Sequence, residues 1–131
     1  MHVIQVYGMP VAQGRPRAFK TPRGRVRVYD PSTSRDWKRT VQAQVILAWK
    51  PRDPLVGPLQ LALVFSLPRP KTLPKRIVQH TKRPDVDNLA KAILDAVRGI
   101  LFRDDSAIVS LTVIKRYGES PGVEIAVTEW G

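Results

Sequence analysis

Leu59, Leu61, Leu63, Phe65 and Leu67 alternate with Gln60, Ala62, Val64 and Ser66. Successive strand residues point to opposite faces, so this period-two pattern specifies a strand with one strongly apolar face, and predicts it in a central position. Shorter strand signals lie at Val3 to Tyr7 and in a ribbon through Arg25-Val26-Arg27-Val28-Tyr29. Two more, Ala107 to Arg116 and Val123 to Glu129, are joined by the turn Gly118-Glu119-Ser120-Pro121-Gly122. Trp37, Val41, Val45, Ala48 and Trp49 recur at helical spacing after the candidate caps Ser32, Thr33 and Ser34, and Pro51 stops the run. Both tryptophans read as core packing within that stripe. A second helix is expected from Asp87 to Arg98, with Leu89, Ala92, Ile93, Ala96 and Val97 inward and Gly99 ending it. The 131 residues suit one domain over 1–131.

Charge narrows the partner. The chain holds 22 Lys and Arg against 11 Asp and Glu, a formal net charge of +11, and such a field favours a polyanion. Arg15, Arg17, Lys20, Arg23, Arg25 and Arg27 form one basic run, and Arg69, Lys71, Lys75, Arg76, Lys82 and Arg83 a second. Both are rich in Gly and Pro, which argues for mobile loops or ribbons able to follow a phosphate backbone. Arg15, Arg17, Arg69, Lys71, Lys75 and Arg76 are the candidate DNA contacts, taken from charge alone. No apolar run is long enough to span a bilayer, and the first residues lack the pattern of a signal peptide, so a cytoplasmic location is expected. With no cysteine, disulfides and cysteine-ligated zinc are excluded.

The acids are unevenly placed: Asp85, Asp87, Asp95, Asp104 and Asp105 are five of the 11. Pro84 disfavours helix just before it, so Asp85 and Asp87 are expected in or near extended chain, projecting to one side. Asp87, Lys91 and Asp95 follow at four-residue steps and form one row on a helix, away from the apolar stripe. Asp104 and Asp105 precede the next strand, from which a carboxylate can fold back beside Asp85 and Asp87 to complete a three-carboxylate site. Mg²⁺ takes carboxylate and phosphate oxygens at about 2.1 Å. An ion held there suits phosphodiester cleavage, with Lys91 offsetting transition-state charge. Ordinary structural roles remain open at each position: an N-cap at Asp87 or Asn88, exposed pairs of Lys91 with Asp87 or Asp95, and a turn at Asp104-Asp105-Ser106. His2 and His80 show no metal-ligand spacing and are read as non-catalytic.

The run Arg83-Pro84-Asp85-Val86-Asp87-Asn88-Leu89-Ala90-Lys91-Ala92-Ile93-Leu94-Asp95-Ala96, followed by Phe102-Arg103-Asp104-Asp105-Ser106, resembles the signature of RusA-type Holliday junction resolvases. Gly14-Arg15-Pro16-Arg17 is similar to the N-terminal part of many members. The resemblance implies an α+β fold with a mixed sheet and two main helices, a homodimer, and Mg²⁺-dependent paired nicking of four-way DNA junctions in recombination and repair; Mn²⁺ is left as a further candidate ion. It also implies Asp85, Asp87 and Asp105 as the catalytic and metal-binding acids and Lys91 as the essential lysine. Asp104 is left as a further candidate ligand or as a residue that holds the turn. Two rival functions share parts of this reading: a non-catalytic basic DNA-binding protein, and a nuclease for flaps or forks.

Overall fold

The computed structural model describes residues 1–14, 17–20, 22, 24, 26–29 and 32–130, with the backbone alone for 17–20, 26–29 and 32. The alternating leucines become β4 (Leu59–Pro68), in which Leu59, Leu61, Leu63, Phe65 and Leu67 are all buried. β4 lies inside a four-stranded sheet with β1 (His2–Tyr7), β5 (Ile108–Gly118) and β6 (Gly122–Glu129), in the order β1-β6-β4-β5. It pairs antiparallel with β6 and parallel with β5, and β1 runs antiparallel to β6 at one edge. The sheet is therefore mixed and the fold α+β, as expected. The ribbon is also present: β3 (Val26–Tyr29) pairs antiparallel with β2 (Arg17–Lys20), a partner strand that the sequence pattern did not single out.

A parallel pair such as β4 and β5 needs a crossover. Here it consists of the basic proline-rich connection followed by helix α2 (Val86–Val97). α2 packs against β5 and against helix α1 (Ser32–Trp49), which also contacts β1. Trp37, Val41, Val45 and Trp49 of α1 meet Leu89, Ile93, Ala96 and Val97 of α2 over the apolar strand residues, in one core. Both tryptophans are buried, so the packing role holds. The opposite sheet face carries Val3, Gln5, Glu124 and Ile114 in exposed positions. No helix among the described residues is long and apolar enough to cross a membrane.

The helix ends refine the expectation. α1 stops at Trp49, with Pro51 two residues beyond, and α2 gives way to Gly99 at φ 85°, a left-handed conformation that glycine adopts without steric cost. α2 begins at Val86, and its N-cap is Asp85 rather than Asp87 or Asn88. Only Asp85 is extended, with φ −77° and ψ 148°; Asp87 already belongs to the first helical turn.

Candidate metal-dependent nuclease site

An N-cap aspartate usually accepts a hydrogen bond from an orphan backbone N–H of the first turn. Asp85 occupies that position and makes no such bond. Its carboxylate is exposed, as are Asp87 and Lys91, and none of the three side chains has a hydrogen bond or ion pair among the described residues. Asp87, Lys91 and Asp95 do form the expected row on the outer face of α2, but Asp95 pairs with Lys38 of α1 at 3.6 Å rather than with Lys91. Asp85 opens onto a hollow of about 350 Å³ that it lines with Ala12, Arg83, Pro84 and Asn88. The amide of Gln13 donates to the carbonyl of Asn88 at 2.9 Å, so the segment leading into Gly14-Arg15 is tied beside the two acids.

The third acid is elsewhere. Asp105 opens a short 3-10 turn, Asp105–Ala107, ahead of β5, and one carboxylate oxygen lies 4.0 Å from the guanidinium of Arg98, just past the end of α2. Two rulers separate it from Asp85. The 12 residues of α2 rise about 18 Å at about 1.5 Å each. β5 from Ile108 to Lys115 extends about 23 Å, and Lys115 is the residue that reaches back to the chain before Asp85. Among the described residues no three acids or histidines gather as a metal-binding group. The expected fold-back of Asp105 onto Asp85 and Asp87 is thus not made within one chain, because α2 and the parallel strand β5 hold the two ends apart.

At that second end the two aspartates differ. Asp104 is exposed and accepts a 2.6 Å hydrogen bond from the hydroxyl of Ser106, which holds its carboxyl below the ordinary range. That bond is one that a turn-holding role would use. Asp105 is half-buried, and burial pushes its carboxyl above the ordinary value against the pull of Arg98. Its second oxygen, Oδ1, is buried without a partner.

The basic connection is better anchored than its composition suggested. The amide of Tyr117 donates to Val78 at 2.9 Å, Gln79 bridges Arg116, and the His80 ring lies 4.7 Å from that of Tyr117. Arg69 donates to the Pro74 carbonyl at 2.8 Å and sits over the Tyr117 ring, so much of its side chain is engaged in shaping the loop. Lys71, Lys75 and Arg76 are exposed and free of partners among the described residues. Arg15 lies outside the described residues, and Arg17 is described only by its backbone in β2. Sequence reasoning missed Lys115, whose ammonium donates to the carbonyls of Lys82 and Pro84. A lysine at an inward-facing position of β5, a strand that also carries Ser110, Thr112 and Arg116, is its only sequence signal.

The carboxylates available at Asp85 and Asp87 fit a hard divalent cation, since Mg²⁺ is commonly held by one or two carboxylates with water completing its shell. Comparison with known proteins agrees with the class of chemistry. Residues 8–128 match the family described as Endodeoxyribonuclease RusA. The chain is also 37% identical over 134 residues to the uncharacterized protein YqaN of Bacillus subtilis (strain 168), covering 95% of this chain and 93% of that one. Both the motif around Asp85 and the one around Asp105 fall within the matched span, and the chain belongs to the RusA endodeoxyribonuclease family.

Proposed function

We propose that this protein is a Mg²⁺-dependent endonuclease that resolves four-way DNA junctions by paired symmetric nicks, acting as a homodimer in recombination and repair. The observation that carries the reading is the uncapped carboxylate of Asp85. Forgoing an N-cap bond costs stability of about 1 kcal/mol, and leaves that oxygen pair free beside an equally unpaired Asp87. A purely structural aspartate at this position would be expected to make the cap.

Asp85 and Asp87 would hold the ion, and Lys91, one turn beyond Asp87 on the same exposed row, would bring its ammonium against the phosphate to offset charge developing there. A divalent ion bound there supplies Lewis-acid polarisation of the phosphoryl group and makes water a better nucleophile; Mn²⁺ serves as the alternative ion. Lys71, Lys75 and Arg76 would draw the DNA backbone toward the acids, which alone would repel it. The separation of Asp105 from Asp85 gives the dimer a chemical purpose. For Asp105 to serve the same ion, it must come from the partner subunit across a two-fold axis, which also matches the symmetry of a junction.

Cleavage of a labelled mobile four-way junction, beside a linear duplex of the same arms, with Mg²⁺ or EDTA, tests the assignment. Paired symmetric nicks that need Mg²⁺ and the junction, and that vanish in an Asp87→Asn variant still able to bind, are the expected result. Binding without cutting under any metal would leave a DNA-binding protein, and equal cutting of flaps or forks would remove the junction from the assignment.

A further inference from the structure

β5 pairs Lys115 with Phe65 of β4, on the side of the sheet that the helices cover. From there the half-buried side chain reaches the connection before α2 rather than an acid. Its ammonium donates to the Lys82 carbonyl and, at 2.9 Å, to the Pro84 carbonyl. Asp85 is the next residue after Pro84, and no described carboxylate pairs with Lys115. Charge-assisted hydrogen bonds are stronger than neutral ones, and two of them on alternate residues fix both the position and the direction of the chain that delivers Asp85. The neighbouring grips on Val78 by Tyr117 and on Gln79 by Arg116 hold the segment further upstream, leaving Lys115 as the last anchor before the acid.

We propose that Lys115 is the positioning residue of the acidic site. By holding the Lys82 and Pro84 carbonyls it sets where the Asp85 carboxylate projects, and so the affinity of the Asp85 and Asp87 pair for a divalent ion. The inference rests on the metal-site reading above. An uncapped N-cap aspartate lacks the bond that would otherwise orient it, so its direction comes from the backbone before it, and Lys115 is the side chain that holds that backbone.

Hydrogen exchange of the 82–89 amides and Mn²⁺ binding followed by electron paramagnetic resonance, in the natural protein, Lys115→Met and Lys115→Arg, test this. Lys115→Met is expected to speed exchange in 82–89 and to weaken Mn²⁺ binding by about 10- to 100-fold, as the loss of supporting interactions around metal ligands generally does. Lys115→Arg, which keeps charge and donors, is expected to restore part of both. In junction cleavage, the Mg²⁺ concentration for half-maximal rate should rise in Lys115→Met, with much of the rate returning at saturating Mg²⁺. Unchanged exchange, or faster exchange with unchanged Mn²⁺ affinity, overturns the proposal while the metal site stands. Failure of the metal site itself is recognised separately, since the natural protein would then bind no Mn²⁺ and both readings fall. If Lys115→Met does not fold, Lys115→Gln, which can still serve one carbonyl, carries the same measurements.

Discussion

The hydroxyl of Ser106 donates a 2.6 Å hydrogen bond to the carboxylate of Asp104, and that bond separates the work of two adjacent aspartates. Asp104 is engaged in the turn, whereas Asp105 keeps a buried oxygen without a partner. Asp104→Asn is therefore expected to retain junction cleavage within a few-fold, and Asp105→Asn to lose it by about 100-fold or more, the scale of losing a group that stabilises charge at the reacting phosphate. Single-turnover rates on the same junction separate them. Equal losses in both variants would return Asp104 to the candidate ligands.

Mixing two inactive variants tests how Asp105 reaches the site. A heterodimer of Asp87→Asn and Asp105→Asn has one centre carrying both changes and one carrying neither, if each centre draws its acids from two subunits. Such a mixture is expected to regain nicking on one strand of the junction. If all three acids serve within one chain, both centres stay defective and mixing restores nothing.

Lys75→Ala and Arg76→Ala should each flatten the dependence of binding on salt, by about 0.9 in log–log slope for each phosphate no longer neutralised. Arg69 predicts a different outcome, because its guanidinium is bonded to Pro74 and stacked on Tyr117. Arg69→Ala should loosen the 69–84 connection, visible as faster hydrogen exchange there. Unchanged slopes for the first two variants would remove them from the DNA-binding residues.

His80 makes stability fall in mild acid. Burial, followed by the charge of Lys115, holds its imidazole pKa below the ordinary 6.5. The folded protein therefore favours the neutral ring, and the unfolded chain binds a proton more readily. The stabilising contribution is present above pH 6.5 and is lost as the pH falls through the lowered folded value. Thermal melts of the natural protein and of His80→Phe across that window should show a shallower fall for the variant; identical curves would refute the assignment.

Gly99 sits at φ 85° with open space where a side chain would begin. Gly99→Ala should therefore cost only the backbone strain, about 1 kcal/mol, in urea denaturation. A loss several times larger would mean that packing, not conformation, selects glycine there.

The sheet was legible because its central strand alternates without a break from Leu59 to Leu67, and the helices because their apolar stripes end at Pro51 and Gly99. Asp85, Asp87 and Lys91 were legible as neighbours in one short segment, although Asp87 lies in the first turn of α2 and not in extended chain beside Asp85. Asp105 was not, since its distance from Asp85 is set by the length of α2 and the direction of β5, and both acids remained compatible with a fold-back until that direction was known. Lys115 was equally hidden, as a strand pattern names the face a lysine occupies but not the carbonyl it meets. The basic connection misled through its composition. Proline and lysine suggested freedom, but Tyr117 and its neighbours in β5 tie the chain down.

The start of α2 also bears on how two acids can sit side by side. Two carboxylates at a helix N-terminus lie where the aligned peptide dipoles present partial positive charge, which favours each by about 0.3–1 kcal/mol. Their mutual repulsion is further weakened by the exposure of both side chains to water. Two neighbouring acids at the start of α2 therefore cost the fold little, and the metal-site reading asks for no cation to offset them during folding.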